Sequence, residues 1–128
     1  MPVILRPYHW LADYSYIPVV LAAPALVGFR HQPAATTLCR VFSGTVLLYS
    51  LCTRAEWGVV RVVPYRTHVT FDFGSGAVAL AAPWVFGFAH RRRARNTFLA
   101  MGVVGLLVGV LSGVFGGARE MPEAADNQ

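Results

Sequence analysis

The sequence predicts an all-α membrane protein: four transmembrane helices, arranged as two parallel two-helix repeats in a pseudo-twofold bundle. Three observations lead there. Hydrophobic residues make up 55% of the 128 positions and charged residues 13%, whereas a soluble domain carries about 25% charged residues. The apolar residues fall into four blocks, each near the roughly 20 residues that a helix needs to cross a hydrocarbon core. Shifting the chain by 59 residues lays it over itself.

The first block runs from Trp10 to Phe29, the second from about Ala34 to Cys52, the third from Val69 to Phe88 and the fourth from Thr97 to Phe115. Helices satisfy their own backbone hydrogen bonds in lipid. Barrel strands would alternate in segments of about ten residues, and these blocks are continuous. The connections Arg30–Pro33 and Ala89–Asn96 read as tight hairpin loops. The longer connection from Thr53 to His68 reads as an interfacial segment, with Trp57 and Tyr65 at headgroup depth. The start of the chain lacks a short apolar stretch followed by a small-residue cleavage site, so the first block is expected to remain as a span. A single domain over residues 1–128 follows, with one unit at about 9–52, the second at about 68–117, and a polar tail at 118–128.

The self-similarity is dense. Between His9–His31 and His68–His90, 10 of 23 positions are identical, including Leu21-Ala-Ala-Pro24 against Leu80-Ala-Ala-Pro83 and Gly28-Phe29 against Gly87-Phe88. Two spans separate the units, so both enter the membrane from one side and are parallel repeats about an axis along the membrane normal. Pro24 and Pro83 are expected near mid-depth, where each would free a backbone carbonyl.

All 11 basic residues other than histidine are arginine. They flank apolar blocks and do not line one polar face, which argues for lipid and against nucleic acid as the partner. Arg30, Arg40, Arg91, Arg92, Arg93 and Arg95 lie on the hairpin-loop side, and Arg6, Arg54, Arg61, Arg66 and Arg119 on the other. The dense Arg91–Arg95 cluster orients the hairpin loops to the cytoplasm and both termini outside a bacterial inner membrane. Cys39 and Cys52 would lie about 20 Å apart on one helix, too far to bridge.

The segment Asp72–Phe88, with Ala82-Pro83-Trp84 and then Gly87-Phe88, resembles the SPW-repeat membrane proteins of bacteria and archaea, named for a Ser-Pro-Trp motif followed closely by Gly-Phe. The first unit has Ala23-Pro24-Ala25 ahead of Gly28-Phe29, so both units lack the serine and the first also lacks the tryptophan. The resemblance implies a small multi-pass membrane protein and carries no established biochemical activity.

Two features are candidates for function. His9 and Asp13 are spaced i, i+4, as are His68 and Asp72, so each pair shares a helix face. Carboxylates placed near helix starts can cap free N–H groups; ionisable residues inside a span can also build a site for a proton, an ion, a metal or a headgroup. His31 and His90 form a second symmetric pair beside the loops. Gly105, Gly109, Gly113 and Gly117 form a small-residue stripe, for packing within the bundle or against a second copy or another membrane protein. No catalytic triad, phosphate-cradling loop or CxxC is present, so no enzyme activity is expected. No cofactor is predicted, haem or a metal at the histidines being the exception. The leading expectation is a structural or accessory component acting through helix packing. The alternative is a transporter-like or cofactor- or ion-binding bundle using the paired His and Asp.

Overall fold

A computed structural model of the chain describes Ile4 and residues 6–55 and 57–113. Four helices account for most of it: α1 (Arg6–Val27), α2 (Pro33–Leu51), α3 (Tyr65–Val85) and α4 (Arg92–Leu111). Each borders the next in sequence and α4 closes the ring against α1, which leaves α1 and α3 on one diagonal. The most extensive packing lies within the hairpins α1/α2 and α3/α4.

The bundle has an apolar core, but it also exposes large apolar side chains and buries polar ones. Leu26 (77% exposed), Val85 and Trp84 face outward, while His9, Asp13, Ser43, Ser50, Thr53, His68, Asp72 and Ser112 are buried. Lipid as the surrounding solvent accounts for both halves of that pattern. Helices α1, α2 and α4 are long and apolar enough to cross a bilayer. With 21 residues α3 has the length, but His68, Thr70, Asp72 and Ser75 lower its apolar content. Of these, His68 and Asp72 are turned inward.

The core obeys the 59-residue offset. Its members fall into the pairs Val20/Ala79, Ala23/Ala82, Phe29/Phe88, Ala35/Ala94, Cys39/Phe98 and Phe42/Met101. Phe98 sits edge-on between Phe42 and Phe88, with ring centroids 6.1 and 5.0 Å away. Both cysteines are free.

The shared Pro-x-x-x-Gly-Phe pattern has a local cause. Gly28 and Gly87 take φ of 85° and 76°, left-handed values that a residue with a Cβ resists. The Phe29 N–H then bonds the Pro24 carbonyl and the Phe88 N–H the Pro83 carbonyl, both at 2.9 Å. This is the Schellman helix stop, with its customary apolar residue after the glycine. Phe29 and Phe88 are 1% and 3% exposed and anchor the loops in the core. The prolines therefore belong to helix ends. Pro24 is four residues and Pro83 three residues from the last residue of its helix, counted inclusively, which corrects their expected mid-depth placement.

Two further expectations are adjusted. The helices start earlier than the apolar blocks, at Arg6, Tyr65 and Arg92 in place of Trp10, Val69 and Thr97. Apolarity marks the stretch that lipid demands, whereas helical hydrogen bonding carries on into polar flanks. Arg92, Arg93 and Arg95 thus lie in the first turn of α4 and not in the loop.

The glycine stripe splits by role. Gly105 and Gly109 lie against Gly76 and Phe73 of α3, so this face is used inside the bundle. Gly113 (φ 94°) turns the chain after α4, and Gly117 lies outside the described residues. A Cβ on Gly76 would stand 2.7 Å from the Leu106 amide nitrogen and 2.9 Å from the Gly105 carbonyl carbon. We expect Gly76→Ala to destabilise the bundle by about 1–3 kcal/mol through overpacking. Gly74→Ala in the same helix, where a Cβ meets nothing within 4 Å, should be neutral or stabilising by up to about 1 kcal/mol. Thermal unfolding of both variants in detergent checks the contrast.

Candidate functional site: a buried histidine–aspartate square

The i, i+4 pairs of α1 and α3 meet at the bundle axis. His9, Asp13, His68 and Asp72 are all buried, and one donor atom from each lies within 4.8 Å of every other. The aspartates are not helix caps. Each is the eighth residue of its helix, with no acidic residue in either first turn, which removes the capping role.

The closest pairing runs across the diagonal. His9 Nε2 lies 2.9 Å from Asp72 Oδ2, and His68 Nε2 lies 2.8 Å from Asp13 Oδ2. Within each helix the same histidine stands 3.5 Å from its own i+4 aspartate. Each carboxylate thus faces both imidazoles and the four side chains form a square.

The outer atoms are also held. His9 Nδ1 is 2.8 Å from Ser112 Oγ, and His68 Nδ1 is 2.7 Å from Thr53 Oγ1. Tyr49 donates its hydroxyl proton to Asp72 Oδ1 at 2.6 Å, and Ser50 donates to Asp13 Oδ2 at 3.3 Å. Buried polar groups carry a heavy cost when unpaired, and here each member of the square has partners on two sides.

One bond fixes a tautomer. Thr53 Oγ1 lies 2.6 Å from the Tyr49 carbonyl oxygen. A carbonyl only accepts, so the single hydroxyl proton of Thr53 points there. Toward His68 the same oxygen must accept, and Nδ1 carries the proton. Nε2 then faces the Asp13 carboxylate across 2.8 Å. Two lone pairs cannot meet at that distance without a positive centre between them: a proton or a metal ion.

Helix polarity bears on the outer partners of the histidines. Thr53 and Ser112 follow the ends of α2 and α4, whose partial negative ends favour cationic or metal-bound imidazole.

The connection between α2 and α3 closes over the site. Thr53 and Val63 pair as a short bridge, and the Arg54 N–H bonds the Val63 carbonyl at 2.7 Å. Trp57 and Tyr65 bring their rings to 6.2 and 5.6 Å from the His9 ring, and the Tyr65 ring stacks on His68 at 6.4 Å. These aromatics, expected at headgroup depth, line the roof of the square. On the opposite side a cavity of about 30 Å³ borders Asp13, Asp72, Tyr16, Tyr49, Ser75 and Gly105, room for a water molecule or two.

His31 and His90 are exposed in the loops and take no part, so they do not supply a haem-binding pair within the bundle. Sequence reasoning missed Thr53 and Ser112, although they are 59 residues apart and the repeat offset pairs them. It also missed Tyr49 and Ser50. Their counterparts at that offset are Val108 and Gly109, so no repeat signal marks them.

Breaking a buried charged pair by removing one partner typically costs about 3–5 kcal/mol, and Asp72→Asn should fall in that range. A double-mutant cycle between His9 and Asp72 should give a coupling of about 0.5–3 kcal/mol, larger than that between His9 and Asp13. Chemical unfolding in detergent measures both, and equal couplings would contradict the diagonal pairing.

No curated protein and no solved structure matches the chain. A family model for the SPW repeat domain matches residues 11–113, a span that holds the core pairs, both Gly-Phe helix stops and all of the square except His9. The chain belongs to the SPW-repeat family.

Proposed function

We propose that this protein is a non-enzymatic, ion-handling membrane bundle, whose working part holds a cation between two histidines and two aspartates. The observation that carries this reading is the placing of Thr53 Oγ1 2.6 Å from the Tyr49 carbonyl and 2.7 Å from His68 Nδ1, which assigns the ring proton to Nδ1 and leaves Nε2 facing a carboxylate at 2.8 Å. The site is therefore built around positive charge. Two carboxylates in an apolar bundle are costly, and membrane proteins keep such residues where they handle protons or ions.

The reading of a purely structural part, acting through the span-four glycine face, receives less support. Gly105 and Gly109 are already covered by α3. On the ion-handling reading α3 also crosses the bilayer, because its polar residues at the site face the bundle axis. The protein then lies in a bacterial inner membrane as four spans, with the arginine-rich hairpin loops in the cytoplasm and both termini outside.

Nitrogen-15 NMR of histidine-labelled protein tests the carrying observation. In protein stripped of metal by chelator, His68 should carry a proton on Nδ1. A neutral ring protonated only on Nε2 would overturn the reading. Reporter fusions at the C-terminus and within residues 89–91 should mark opposite sides of the membrane.

A further inference from the structure

We infer that the square is a four-coordinate site for a divalent transition metal of the zinc class, with His9 Nε2, His68 Nε2 and one oxygen each of Asp13 and Asp72 as ligands. This deepens the proposed function and rests on it. The argument begins with spacing. Metal–nitrogen and metal–oxygen bonds of about 2.0–2.1 Å in a tetrahedron place neighbouring ligand atoms about 3.3 Å apart. The closest histidine–aspartate approaches measure 2.9 and 3.5 Å to Asp72 Oδ2, 2.8 Å to Asp13 Oδ2 and 3.5 Å to Asp13 Oδ1, and straddle that value, with Asp13 turning one of its two oxygens to the ion. A small inward or outward shift of each side chain would seat the ion.

The surroundings of the ligands point the same way. Metal-bound histidines characteristically donate their other ring N–H to an oxygen acceptor, which fixes the tautomer and the ring orientation. Thr53 Oγ1 does this for His68, because its own proton is committed to the Tyr49 carbonyl. Ser112 Oγ occupies the matching place on His9. The tautomer so fixed leaves Nε2 of His68 with its lone pair toward the square. A hydroxyl proton from Tyr49 engages the Asp72 oxygen that does not face the histidines.

Charge decides between ions. Two carboxylates and two neutral imidazoles carry a net charge of two minus, which one divalent cation cancels in a medium that penalises any residue of charge. Donor type decides between divalent ions. Two imidazole nitrogens suit zinc, cobalt and their neighbours, whereas calcium and magnesium prefer all-oxygen sites with more ligands.

The test uses full-length protein in detergent micelles, stripped with chelator and titrated with cobalt(II). We expect one cobalt per chain, with the intense visible absorption of four-coordinate cobalt. Zinc(II) should bleach it and a large excess of calcium(II) should not. Thr53→Val keeps all four ligands, and should weaken cobalt binding by about 10–100-fold. A His9→Phe/His68→Phe variant, checked for helicity and monodispersity, should bind none at the square.

A weak six-coordinate spectrum, displacement by calcium, or Thr53→Val binding as tightly as wild type would overturn the assignment, as would absence of stoichiometric cobalt. The NMR experiment then separates the two levels. No metal with His68 protonated on Nδ1 leaves a proton-holding site and defeats the metal. No metal with His68 protonated only on Nε2 defeats both.

Discussion

Two carboxylates buried side by side in an apolar bundle demand positive charge between them, and the geometry of this protein answers that demand. Asp13 and Asp72 lie on diagonal helices. Their charges are met by His9 and His68, each reaching across to the other helix. The hydroxyls of Thr53 and Ser112 then have to stand where α2 and α4 end, so that the outer nitrogens are also held. All four helices are thereby committed to one point. Away from that point the helices pack through apolar side chains, with Phe42, Phe88 and Phe98 in edge contact.

Helices α3 and α4 approach closely, and Gly76, Gly102 and Gly105 let backbone pass backbone there, while the residue after α4, Ser112, meets His9 of α1. On the first hairpin, α2 carries Tyr49 and Ser50 toward the carboxylates. The two units are therefore alike in frame and different in trim. The second packs by glycine where the first contributes polar groups.

Much of the fold was legible in the sequence because lipid leaves few alternatives. A block such as Thr97–Phe115 has to coil and cross, and the offset of 59 residues joins His9 to His68 and Asp13 to Asp72. Depth was harder to read. Residues 6–9 and 65–68 are not uniformly apolar, so apolarity alone starts the helices after them and puts the aspartates at helix ends, whereas they lie two turns inside. The cross-pairing was hidden for a different reason. Spacing i, i+4 reports which residues share a face, but says nothing about a diagonal partner 63 or 55 residues away. Trp57 and Tyr65 had the composition of an interfacial belt, and only the closed connection from Thr53 to Val63 turns them over the histidines.

The division of the square between the hairpins has a consequence for how the protein is made. His9 depends on Asp72 and Ser112, both from the second hairpin, while His68 depends on Asp13 and Thr53, both from the first. Each hairpin alone leaves its histidine without the diagonal carboxylate, and within the first hairpin Asp13 keeps only His9 at 3.5 Å and Ser50 at 3.3 Å. The same reciprocity means that two identical hairpins, each unfinished alone, could complete one another as separate polypeptides before any linker joined them.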